Sequence, residues 1–196
     1  MNKSEIEIAC RIVKLHENDN RFKSNYSLYL YQMELEYKRL LEKTKFQRKE
    51  NKAFFEKLKK IPGRQLDELT QEFHEQAFKQ IDCLKCANCC KTTGPYLKNK
   101  DIQVLSEQLR MKPLEFTKEY LRVDEDHDFV FKSMPCPFLK DDNHCSVYSA
   151  RPNACREYPH TDQRDIRSVL AITYLNTMIC PAVAVVVDKL KIALKK

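Results

Sequence analysis

The chain has 196 residues, enough for one domain or for a domain with a helical extension. Charged residues make up 32% of it and glycine occurs only twice, which argues against many tight hairpins and for surface-rich helices. The formal net charge is +7, and the longest apolar run, Pro181 to Val187, is far below the roughly 20 residues that cross a bilayer, so no membrane segment is expected.

In chain order, Met1 to Asn18 carries Glu5, Glu7 and Arg11 among its apolar positions and lacks the continuous apolar stretch of a secretory signal. A cytoplasmic, soluble chain is the expectation. Ser4 with Glu7 makes a capping-box signature, and Ile8, Ile12 and Leu15 follow at helical spacing, predicting a first helix to about Leu15. Cys10 stands alone in this amphipathic stretch and reads as a buried free thiol, outside any site.

Tyr26 to Ile61 contains no Gly or Pro and places Leu30, Met33, Tyr37, Leu40 and Leu41 on one face, which predicts one long amphipathic helix or two in line, stopped by Pro62-Gly63. Basic residues crowd its second half, from Lys38 to Arg64, against Glu42, Glu50 and Glu56. A solvated helix face accounts for them most simply. The other candidate role is a surface for an acidic protein or a nucleic acid, and mixed charge signs and the lack of a recognised reading motif argue against it. Leu66, Leu69, Phe73, Ala77 and Ile81 then recur at steps of three and four, so a further helix leads straight into the first cysteines.

Beyond those cysteines, Asp101 is placed to cap a helix carrying Ile102, Leu105 and Leu109, and Pro113 suits the first turn of the next. From Asp124 to Arg156 the texture turns to Pro, Asp, Asn and His with little apolar periodicity; Phe129 to Phe131 is the best strand candidate, and Asp141 and Asp142 read as turn residues. Two helices, about Gln163 to Met178 and Pro181 to Lys195, close the chain. The expected fold is mainly α: a helical extension over 1–62 and a loop-rich, metal-organised cysteine domain over 63–196 with few or no strands, a single compact unit being the alternative.

Nine cysteines in a chain without an export signal point to a reducing compartment, where thiolates bind metal or do redox chemistry more often than they pair. Cys83-x-x-Cys86-x-x-Cys89-Cys90 places four sulfurs in eight residues, and they converge whether the segment is a turn or a helix. Four thiolates held close repel unless a cation joins them. Cys136, Cys145, Cys155 and Cys180 are spread over the region without an obvious core, as expected if they are clipped to the first group. The candidate metal ligands are therefore Cys83, Cys86, Cys89, Cys90, Cys136, Cys145, Cys155 and Cys180.

Eight sulfurs exceed one tetrahedral zinc, so either two metals bind, or one zinc or one iron–sulfur cluster takes four and the others are structural or reactive. The first three cysteines match the opening of the bacterial ferredoxin pattern, although the fourth is not at that spacing. Zinc or iron, including a 4Fe-4S cluster, are the expected cofactors, and sulfur donors alone do not choose between them. Arg151 and Arg156 flank Cys155, where they offset the charge of a metal–thiolate centre or form surface salt bridges. His144 and His160 are substitute ligands, more simply loop or hydrogen-bonding residues. No catalytic residue is identified.

Several ordered motifs resemble the YkgJ-like cysteine-cluster family of bacteria, described as having a zinc- or iron-chelating CxxCxxCC domain. They are Cys83-Leu-Lys-Cys86-Ala-Asn-Cys89-Cys90, Asp101-Ile102 opening a helix, Cys136-Pro137-Phe138-Leu139, Cys145-Ser146-Val147-Tyr148, and Arg151 through Pro159. The similarity covers about Cys83 to Pro181; Ala87 departs from it, standing where the family often has glycine. The resemblance implies metal chelation and assigns no general reaction. A related cluster is similar to part of flagellin lysine methylase, but a chain with two glycines has no glycine-rich nucleotide-binding loop. The first expectation is a non-catalytic metal-binding protein; the alternative is an iron–sulfur enzyme or redox partner.

Overall fold

No glycine or proline interrupts the chain from Asn20 to Ile61, and two helices occupy that stretch, α1 (Asn20–Phe46) and α2 (Arg48–Leu58). Gln47 separates them, yet the Gln47 amide still bonds to the Lys43 carbonyl and the Asn51 amide to the Gln47 carbonyl. This computed structural model describes residues 20–195, with side chains from residue 32 onward. Cys10 and the helix expected from Ser4 to about Leu15 lie outside the described residues. The chain divides into two units, Met1–Tyr37 and Lys38–Lys196, and the first is described only as the opening part of α1.

Within the second unit, α3 (Gly63–Gln80) starts directly after Pro62 and buries Leu66, Thr70 and Ala77. It packs along α10 (Pro181–Ala193), the most apolar of the described helices, which buries Pro181, Ala182, Val183, Ala184, Val186, Val187 and Leu190. A helix apolar on nearly every side belongs at the centre of its layer. Before α10 lie a 3-10 turn (Ile166–Val169) and α9 (Leu170–Asn176), shorter than the helix expected from Gln163. Asp165 takes a left-handed conformation at φ 57° and starts the helical path late, while the Asp67 carboxylate accepts from the Asp165 and Ile166 amides at 3.1 and 2.9 Å.

Helix α2 lies against α9, with the Phe55 ring edge-on to Tyr174 at 5.5 Å. Thr44 donates to the Thr177 carbonyl at 2.8 Å, and Lys43 and Lys191 pair with Asp188 and Glu50. With Lys59–Glu56 and Arg64–Glu68, part of the basic stretch is matched within the fold, through exposed pairs that each contribute little. Among the described residues, no single helix is long and apolar enough to cross a membrane.

The cysteine-bearing half contains α4 (Cys83–Cys86), α5 (Asn88–Thr92), β1 (Tyr96–Leu97), α6 (Asn99–Gln108), α7 (Pro113–Tyr120), β2 (Leu121–Val123), β3 (Phe129–Phe131) and α8 (Asn153–Glu157). The three strands form an antiparallel sheet in the order β1-β3-β2, with Tyr96 opposite Val130 and Leu121 opposite Phe131. The fold is mainly α, with Phe129–Phe131 a strand as its β-branched and aromatic content predicts. Pro113 opens α7 as expected.

Two expectations need correction. Asp101 is not the cap of α6 but its third residue: its carboxylate accepts from the Lys98 amide at 2.9 Å and from the Asn153 amide, also at 2.9 Å, so it ties α6 to α8. The late cysteine loops also have an apolar core. Phe138, Val147 and Ala150 join Leu97, Ile102, Leu105, Phe116, Leu121 and Phe131 in one cluster, with Cys136 and Cys145 packed against it. Those loop residues share no helical or strand period, so a search for periodicity passes over them.

Candidate metal centre

Helix α3 ends at Gln80, and the Asp82 side chain accepts from the Leu84 amide at 3.0 Å to start the single turn of α4. Cys83 and Cys86 stand three apart on that turn, hence on one face. Ala87 then takes a left-handed conformation, φ 46° and ψ 18°, and α5 begins at Asn88 in a new direction, carrying Cys89 and Cys90. The motif is thus two helical turns hinged at Ala87, not an extension of α3. The Cys89 and Cys90 sulfurs lie 4.0 Å apart.

Backbone bonds bring in the late cysteines. The Cys136 amide donates to the Cys90 carbonyl at 2.8 Å. Leu139 and Cys145 form a β-bridge across the Asp141–Asn143 turn, and the Asn143 side chain donates to the Lys85 carbonyl at 3.2 Å. Cys155 sits on α8, which Asp101 anchors. Cys180 caps α10, and the Asn88 side chain donates to the neighbouring Ile179 carbonyl at 2.7 Å. All eight are free thiols; Cys180 is buried, Cys83 is exposed as a whole residue, and the others are half-buried.

The sulfurs feel one another. Loss of hydration, and then neighbouring thiolate charge, raises Cys83 to about 11, although that residue is exposed overall. Burial, and then the charges of Cys90, Cys136 and Cys145, lifts Cys155 to about 12. Cys180 rises to about 12 and Cys136 to about 11, each chiefly through burial. Burial also raises Cys86 and Cys145. Cys90 moves the other way, to about 7, because its hydrogen bond with the Cys89 sulfur and the positive charges of Arg151 and Lys91 favour its thiolate; Cys89 rises correspondingly. The cluster therefore holds one readily ionised sulfur among seven reluctant ones.

Tyr158 is the residue that sequence reasoning passed over. Its hydroxyl is buried with no hydrogen-bond partner among the described residues. Its phenol is pushed well above the usual range, first by burial and then by the charges of Cys180, Cys89, Cys86 and Cys83, so it lies within electrostatic range of those four sulfurs. It lies within the Arg151–Pro159 motif, but only its orphaned donor, visible once folded, marks it as part of the site.

Residues 82–178 match a family model described as "CxxCxxCC: Putative zinc- or iron-chelating domain". Over this segment the chain is similar to the CxxCxxCC domain family. No curated protein and no solved structure matches the chain. Metal binding is the general property that the family description brings.

Within this segment, no group of three or more His, Cys, Asp or Glu side chains among the described residues is drawn tightly enough to hold an ion as it stands. The donor set nevertheless fits a thiophilic metal in its chemistry. Each of the eight thiols lies within electrostatic range of others in the set, and the buried Tyr158 hydroxyl, unpartnered among the described residues, is suited to donate to a metal-bound thiolate.

The two arginines differ. Arg151 stacks over the Tyr148 ring at 3.5 Å, donates to the Tyr148 carbonyl, and lies close enough to lower the thiols of Cys83, Cys90, Cys145 and Cys155. Arg156 instead donates to the Arg151 and Ser149 carbonyls, clamping the loop backbone. His144 faces Asp142, with Nδ1 3.4 Å from its carboxylate, and the His160 ring lies 6.4 Å from that of Tyr158. Ala87 holds a positive φ at the hinge, a conformation that glycine adopts at less cost.

Proposed function

We propose that this protein chelates zinc or iron through Cys83, Cys86, Cys89, Cys90, Cys136, Cys145, Cys155 and Cys180, and that the metal organises the fold rather than performing a reaction. The observation that carries this reading is the gathering of eight free thiols from separate stretches of chain around Cys90 and the orphaned hydroxyl of Tyr158. Sets of four sulfurs close the coordination of a tetrahedral ion and leave no open position for substrate, which favours a structural role. Free thiols in such number suit a reducing compartment, here the cytoplasm.

Four-sulfur sets suit zinc and a four-iron cluster alike, so the metal is decided by measurement. The test is anaerobic purification followed by elemental analysis and visible absorption. Metal retained by the wild-type chain and reduced when cysteines of the set are replaced by serine supports the reading. Colourless protein with zinc gives the structural form. Brown protein with iron and sulfide moves it to the iron–sulfur alternative, an enzyme or redox partner. Protein that takes up neither metal under reducing conditions sinks both.

A further inference from the structure

We infer that the eight cysteines divide into two neighbouring four-sulfur centres, Cys83, Cys86, Cys89 and Cys180 in one and Cys90, Cys136, Cys145 and Cys155 in the other. The inference deepens the metal-binding reading and rests on it.

Chain geometry separates the sets at the Cys89–Cys90 peptide bond. Consecutive residues of a helical turn diverge by about 100°, so Cys89 and Cys90 leave α5 in different directions, and their sulfurs, 4.0 Å apart, stand where the two centres meet. On Cys89's side stand Cys83 and Cys86, together on the preceding turn, and Cys180, whose neighbour Ile179 is held by the Asn88 side chain at 2.7 Å. On Cys90's side stands Cys136, whose amide donates to the Cys90 carbonyl at 2.8 Å. Cys145 follows across the Leu139 bridge, and the Leu139 amide in turn bonds to the Cys136 carbonyl at 3.0 Å. Cys155 lies within interaction range of Cys90, Cys136 and Cys145.

The surroundings of the sets differ as well. Tyr158 interacts with Cys83, Cys86, Cys89 and Cys180, the whole of the first set. Arg151 lowers Cys90, Cys145 and Cys155 of the second, and Cys83 of the first. Cys90 also lies within range of Cys83 and Cys86, so the centres adjoin. Eight thiolates are twice what one tetrahedral ion accepts, and a four-and-four division leaves none over.

The experiment loads the full-length reduced chain with zinc alone and measures zinc per chain by elemental analysis. Wild type is expected to hold about two ions, Cys180→Ser and Cys155→Ser about one each, and the double variant none. Cobalt(II) titration of wild type guards against a variant that fails to fold: two equivalents, each with the absorption of a four-sulfur site, are expected. A wild type that saturates at one equivalent, or single variants that each lose all the zinc while remaining folded, overturn the division while leaving metal binding intact. A wild type that takes up neither zinc nor, in a parallel loading, iron overturns the underlying metal-binding reading instead.

Discussion

The Asn88 side-chain amide donates to the Ile179 carbonyl at 2.7 Å, fastening the double-cysteine turn to the residue before Cys180 across 91 positions of sequence. Asn88→Ala leaves that half-buried carbonyl without its partner. The expected loss is about 1 to 2 kcal/mol of folding stability, with weaker retention of metal by Cys180 and its neighbours. Chemical denaturation and competition with a chelator measure the two effects. An unchanged denaturation midpoint and unchanged metal retention would show that the loops are held without this bond.

The pH dependence of stability should reverse when metal is bound. In the metal-free chain Cys83, Cys136, Cys155 and Cys180 have folded values of about 11 to 12, above the unfolded thiol near 8.5. Stability from raised groups is complete below the unfolded value and is lost as pH climbs through the folded ones, so alkali weakens the metal-free fold. Cys90, lowered to about 7, contributes in the opposite sense: its share is present above the unfolded value and lost as pH falls through 7. In the loaded chain protons compete with metal for the thiolates, so acid is what weakens it. Thermal melts across pH with and without chelator distinguish these profiles, and identical curves would refute the metal's part in them.

Long-period order was legible in the sequence and short-range exceptions were not. Helices α2 and α3, the proline start of α7 and the strand at Phe129–Phe131 follow from spacing and composition, which act over many residues. Asp101 escaped because a carboxylate at the cap and one at the third helical position look alike until the Asn153 amide is seen to use it. Phe138 and Val147 escaped because their burial arises from tertiary packing against Phe116 and Phe131 rather than from a local pattern. Cys83, Cys86, Cys89 and Cys90 were named from spacing and the four later cysteines from loops that looked coreless, but their distribution about the Cys89–Cys90 bond depends on a hinge at Ala87 that the sequence does not announce.

That hinge gives a stability prediction. Ala87 is held at φ 46° and is nearly buried at 5% exposure. An L-residue in the left-handed region costs roughly 1 to 2 kcal/mol, and glycine avoids most of that while losing a small buried methyl and some backbone order. Ala87→Gly should therefore stabilise the protein by up to about 1 kcal/mol. Denaturant midpoints of the two proteins decide the matter, and a less stable glycine variant would mean that the methyl contact outweighs the strain.

Residues 38–62 are expected to behave as part of the body that carries the cysteines. Phe55 and Leu58 are only 4% and 1% exposed, α2 lies against α9, and Glu50 pairs with Lys191 on α10. Burying a Phe or Leu side chain contributes about 1.5 to 3 kcal/mol, so removing both uncovers apolar surface that a domain of this size does not readily spare. A fragment beginning at Gly63 should aggregate or unfold at much lower denaturant concentration, whereas one beginning at Lys38 should stay soluble and keep its metal. Expressing both and measuring solubility, denaturation midpoint and bound metal separates the cases. A Gly63 fragment that retains the full metal content and midpoint would place the domain boundary at Pro62 and make α2 an appendage, because the α9 and α10 surfaces would then tolerate water without it.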